Sequence, residues 1–108
     1  MTDIVVALTT LPAGFDAPAL ARALVTERLA ACVAILPQLQ SVYEWEGAVT
    51  VDAEQQLVIK TARDRVGPLW DRLRALHPYQ VPEFLVLPVE SGHPDYLTWV
   101  RGSVGGKG

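Results

Sequence analysis

CVAILPQLQSVYEWEGAVTVDAEQQLVIKT, residues 32–61, is the stretch on which the fold turns. Two arms, CVAILPQLQSVYEWE and AVTVDAEQQLVIKT, flank Gly47, and the Glu46-Gly47 pair predicts a tight turn between antiparallel strands. Each arm runs to about fourteen residues, against roughly 5–6 for an ordinary strand. Pro37 lies inside the first arm and cannot donate to a ladder, so it marks a bulge or an edge. A hairpin this long outruns any helix the chain has to cover it.

Working outward, IVVAL (4–8) is a β-branched run that predicts a strand buried on both faces, and TTLPAGF then turns the chain. DAPALARALVTERLAA predicts a helix, with Asp16 as N-cap and Pro18 in the first turn. Leu20, Ala23, Leu24 and Ala31 share one face; Glu27 falls on the same stripe, which places it at an edge or beside a partner. Beyond the hairpin, DRVGPLWDRLRALH carries Val66, Leu69, Trp70, Leu73 and Leu76 at helical spacing, and Pro78 ends it. FLVLPV (84–89) predicts a buried strand. HPDYLTWV (93–100) predicts a short helix with Tyr96, Val100 and either Leu97 or Trp99 inward. RGSVGGKG reads as a mobile tail, giving a single domain over 1–102 and a flexible tail over 103–108. The order is βαββαβ plus a short C-terminal helix, the α+β, ferredoxin-like arrangement of an antiparallel sheet under two helices.

The 108 residues are half apolar, a high share for a domain this small, and the strands are apolar on both faces. The subunit is therefore expected to share its sheet with copies of itself. Nine basic and twelve acidic residues, evenly spread, give a net charge of −3 and no basic patch, which excludes a nucleic-acid partner. A single cysteine, Cys32, excludes a disulfide framework. Asp3 stands where a signal peptide carries positive charge, and the first apolar run is too short for a membrane. The expected compartment is the cytoplasm.

Five stretches in register, ERLAACV (27–33), VYEWEG (42–47), IKT (59–61), HPYQVPE (77–83) and DYLTW (95–99), together resemble the CutA family of divalent-cation tolerance proteins. The resemblance covers nearly the whole chain. It implies a ferredoxin-like subunit in a compact homotrimer, similar in build to the PII signalling proteins, and a role in tolerance to copper and other divalent ions.

Several residues carry potential chemistry. Cys32 is a soft ligand or a small buried hydrophobe. His77 ends the second helix and is a C-terminal cap, a packed ring, or a metal ligand through a neutral imidazole nitrogen. His93 opens the last helix as an exposed loop residue. Pro78 and Pro82 hold Tyr79 and Glu83 in place. Glu83, at the start of a strand, needs a partner, and Lys60 is the candidate, either in a Lys60–Glu83 pair between neighbouring strands or as an anion-binding cation. No phosphate loop, nucleophile elbow or paired-ligand spacing is present, so the expectation is not an enzyme.

Two function classes follow. One is a trimeric copper tolerance protein holding an ion in intersubunit clefts through His77, Cys32 and Glu83. The other is a PII-like module holding a small anionic ligand through Lys60, Tyr79 and Glu83 and signalling to a protein partner. Both need the trimer, which closes the hairpin edges. Light scattering on the purified protein is expected to give three times the 11.8 kDa subunit mass; a stable monomer at micromolar concentration would remove the architecture.

Overall fold

The computed structural model of the chain describes residues 1–105. The elements are β1 (Ile4–Pro12), α1 (Ala17–Thr26), β2 (Cys32–Trp45), β3 (Ala48–Ala62), a 3-10 turn (Arg63–Arg65), α2 (Val66–Leu76), β4 (Leu85–Pro88) and α3 (Pro94–Ser103). The four strands form one antiparallel sheet in the order β2-β3-β1-β4. This is the expected α+β arrangement.

The central hairpin turns where the sequence places the turn. Trp45 pairs with Ala48, and Glu46 (φ 51°) and Gly47 (φ 83°) both adopt left-handed backbone, the pair of conformations a two-residue hairpin turn of matching twist requires. Pro37 marks a bulge. The ladder runs Leu36–Gln56 and resumes Leu39–Glu54, so β2 carries one extra residue, and Gln38 absorbs it at φ 59°. Because side chains alternate along a strand, the extra residue keeps Leu39, Ser41, Tyr43 and Trp45 on the same face as Cys32, Ala34 and Leu36.

One face of the sheet carries α1 and α2. Ala7, Leu11, Leu57 and Ile59 point to it and pack with Leu20, Leu24, Leu69 and Leu73, all buried. Asp16 caps α1, its Oδ1 accepting from the Ala19 amide at 3.1 Å. At the other end of α1, Arg28 is left-handed (φ 60°) where glycine is usual, and the Leu29 amide reaches back to the Leu24 carbonyl at 2.9 Å. Glu27, the acid on the apolar stripe, does have a partner: the Arg72 guanidinium of α2 at 2.9 Å.

A smaller cluster of Ile4, Ala31, Ala62, Val100 and Val104 seats α3. Leu97 packs against it, whereas Tyr96 and Trp99 face outward, so Leu97 fills the inward position and Tyr96 does not. The expected tail is also partly ordered. Ser103 closes α3, Val104 is buried, and Arg28 donates from Nε to the Gly105 carbonyl at 2.9 Å; residues 106–108 lie outside the described residues. The strand expected over 84–89 shrinks to four residues, and they are exposed, because β4 is an edge strand of the sheet.

The second face is bare. Leu36, Leu85 and Leu87 stand on it 44%, 53% and 48% exposed, which is the surface a copy of the chain could cover. Leu69 of α2 is fully buried against the sheet, and Leu69→Ala should cost about 2–5 kcal/mol in urea unfolding. A loss near zero would mean the helix layer is not packed as described.

Candidate functional site

The site lies where β1 ends and the hairpin continues alone. Pro12, the last residue of β1, pairs with Glu54, and β2 and β3 run on past it. Loop residues 77–84 cross this step. The result is a groove of about 400 Å³ lined by Thr10, Ser41, Tyr43, Trp45, Glu54, Tyr79, Gln80, Val81 and Glu83.

Glu54 is its anchor. The residue is 5% exposed, and two hydroxyls hold its carboxylate: Ser41 donates to Oε1 at 2.5 Å and Tyr79 to Oε2 at 2.6 Å. A buried carboxylate needs such donors, since the desolvation cost of the charge is otherwise several kcal/mol on the order of magnitude known for ions in proteins. Tyr79 is held protonated in return, its pKa raised by burial and by the bond to Glu54. Alongside, the Tyr43 hydroxyl donates to Asp52 Oδ2, and that bond raises the Tyr43 pKa. Glu83 lines the groove too, and its Oε2 is buried with no hydrogen-bond partner.

His77 sets the loop. Its backbone N–H closes α2 on the Leu73 carbonyl at 2.8 Å, but the ring turns away from the helix end toward β1. The Tyr79 amide donates to Nδ1 at 3.1 Å, so Nδ1 carries the lone pair and Nε2 the proton. Nε2 then donates to the Thr10 carbonyl at 2.8 Å, with Thr9 Oγ1 at 3.2 Å. Both ring nitrogens are occupied by the fold. His77 is a packed, hydrogen-bonded ring and offers no lone pair to a metal as it stands.

The remaining expected residues are spread apart. Cys32 pairs with Lys60, and Lys60 with Val6, four positions along β1 from Thr10, about 13 Å at the usual strand rise. Cys32 and His77 therefore do not meet within the chain. Nor do Lys60 and Glu83: β4 flanks β1 on the side opposite β3, so β1 separates them, and no ion pair among the described residues includes either. Among the described residues, no three His, Cys, Asp or Glu side chains gather as a metal site. His93 caps α3, its Nδ1 accepting from the Tyr96 amide at 3.3 Å.

Of the expected residues, then, Tyr79 and Glu83 stand in the groove. Glu54, Ser41, Tyr43 and Trp45 were not anticipated. The alternation of Ser41, Tyr43 and Trp45 opposite Asp52 and Glu54 is visible in the sequence, but only once the bulge is placed.

Burial lowers the His77 pKa, outweighing the opposing bond to Thr10 and the charge of Glu54. The unfolded chain therefore binds a proton first as pH falls through about 6.5, and stability drops until the folded ring also protonates. Thermal melts between about pH 7 and pH 5 should show this loss, and His77→Gln should flatten it relative to the parent. Equal slopes would show that the ring does not titrate on unfolding.

A family model described as "CutA1 divalent ion tolerance protein" matches residues 5–103. The divalent-cation tolerance protein CutA of Thermus thermophilus is 47% identical over 100 residues, covering 93% of this chain and 97% of that one. The human protein CutA is 47% identical over 95 residues, covering 88% of this chain but 53% of its own length, so this chain spans about half of it. The crystal structure of CutA from Xylella fastidiosa superposes with a TM-score of 0.92 at 41% identity, covering 96% of this chain and 100% of that chain.

Proposed function

We propose a function that starts from family: this chain belongs to the CutA1 divalent ion tolerance protein family, and it acts as a homotrimer that binds a divalent ion in clefts between subunits. The observation that carries the ion is the pair of groove carboxylates, Glu54 buried and hydroxyl-bound, Glu83 with an oxygen that nothing satisfies. The groove contains neither Lys nor Arg, so its charge suits a cation. Two carboxylates do not complete a metal site, which is why the cleft must draw further donors from a neighbouring subunit.

Support for the trimer comes from the bare sheet face and from hairpin arms of fourteen and fifteen residues with Val42, Val49 and Val51 exposed. Copper is the ion we assign, since copper(II) binds a given oxygen and nitrogen donor set more tightly than the other first-row divalent ions. The role is one of binding and not catalysis, because the hydroxyls of Ser41 and Tyr79 are committed as donors to Glu54. The compartment we assign is the cytoplasm, on the strength of the single unpaired thiol, Cys32; no helix among the described residues is long and apolar enough to cross a membrane.

A second reading, the PII-like module with an anionic ligand and a protein partner, rests on Lys60, half-buried and in no ion pair among the described residues. Its ligand would sit at the Cys32 end of the bare face and not in the groove.

Calorimetric titration with copper(II) separates the two. The expected result is saturable binding, tighter than for magnesium or calcium, weakened about tenfold by Glu54→Gln and by Glu83→Gln and little changed by His77→Gln. Binding that survives both carboxylate changes would remove the ion from this groove, and loss of an anionic ligand on Lys60→Gln would favour the second reading.

A further inference from the structure

The groove is larger and more apolar than an ion needs. Its volume of about 400 Å³ falls within the roughly 300–1,000 Å³ range of small-molecule sites. Three aromatic rings, Tyr43, Trp45 and Tyr79, and the side chain of Val81 form its walls, and two carboxylates, Glu54 and Glu83, supply its only formal charges. Aromatic faces attract ammonium groups through the ring quadrupole, most strongly where a carboxylate stands close by and no cation competes.

We infer that this groove binds an organic cation: a primary ammonium group carried on an apolar body about the size of one aromatic ring. Glu83 is the residue that most requires such a ligand. Its carboxylate lines the groove with no hydrogen-bond or ion-pair partner among the described residues, and an ammonium group in the groove brings both the counter-charge and the N–H donors that the chain itself withholds. Glu54 contributes as a fixed charge. Ser41 and Tyr79 occupy two of its roughly four acceptor positions and hold it oriented. The apolar body of the ligand lies against Trp45, Tyr43 and Val81, which are otherwise exposed to water.

The groove is also built in advance. Pro78 and Pro82 fix the backbone on either side of residues 79–81, and the His77 ring ties that loop to Thr10. The opposite wall is set by the hairpin turn and by the bulge at Gln38. Little conformational freedom is therefore lost when a ligand enters. An anion is excluded by both carboxylates, and a neutral molecule of equal shape leaves the charge of Glu83 unpaired.

This inference goes beyond the divalent-ion reading and does not need it, since the rings and both carboxylates come from one chain whereas the metal needs a neighbour's donors. The test is calorimetric titration of the native protein with 2-phenylethylamine, in the presence of EDTA so that no metal contributes. Two probes of matched shape, 2-phenylethanol and 3-phenylpropionate, are run at equal salt near neutral pH, where the amine is protonated. The amine should bind saturably, the alcohol about tenfold more weakly or worse, and the carboxylate not at all. Glu83→Gln should weaken the amine about tenfold, and Trp45→Leu, which keeps an apolar wall without a π face, should weaken it severalfold. Equal affinity for amine and alcohol overturns the inference, as does the absence of saturable amine binding or an unchanged Glu83→Gln variant. If a variant fails to fold, the three probes on the parent protein decide alone. Copper binding without amine binding would sink this proposal and leave the ion; amine binding in EDTA without copper binding would do the reverse.

Discussion

A difference in strand length governs this molecule. β3 has fifteen residues and β1 only nine, so antiparallel pairing with β1 stops at Glu54 while the hairpin continues. The inner part of the hairpin lies in a sheet with a helix layer above it. The outer part has one strand partner and no layer. The groove is placed by that step: Glu54 is the last residue to gain cover from β1, and the loop after α2 has an open corner to cross. Were β1 longer, its next residues would occupy the groove.

The loop that crosses the corner is tied down at its start, where the polar groups of His77 and Tyr79 find partners within the fold. The ring of His77 serves as a joint between helix and sheet, with one nitrogen for its own loop and one for β1. Tyr79 begins from that joint and ends on Glu54, so the helix layer and the hairpin are linked through an imidazole, a phenol and a carboxylate in series. Such a series is costly to interrupt, since removing any member leaves a buried polar group of the next without its partner.

Much of the architecture was legible in the residues, for local reasons. Glu46-Gly47 announced the turn, Pro37 the bulge, Asp16 the start of α1 and Pro78 the end of α2, each through a backbone constraint that acts within a few residues. The groove was not legible, because it depends on register between distant segments. Ser41 and Glu54 are 13 residues apart and Glu54 and Tyr79 are 25 apart. Lys60 and Glu83 attract on paper, but the strand order inserts β1 between them. His77 had a helical position compatible with a cap, a packed ring and a ligand; only the neighbours of both nitrogens distinguish these. Val104, set among glycines, gave no periodic signal that would seat it in the α3 cluster.

The bulge at Gln38 has a consequence for how this hairpin can change in length. The extra residue in β2 is a parity device: it realigns the alternation of Ser41, Tyr43 and Trp45 with the face on which Glu54 stands. Deleting one residue between Leu36 and Ser41 would restore a regular ladder and leave those three side chains on their present face, because Ser41 would then stand four positions from Leu36 and still oppose Asp52. Flattening the bulge at constant length would instead set Ser41 five positions from Leu36 along a regular strand and turn all three side chains to the opposite surface, emptying the groove while leaving the hydrogen-bonded sheet whole. An odd change in the length of this arm thus keeps the groove only where a bulge is gained or lost with it, and the groove can be lost by a change of register that the fold itself would scarcely feel.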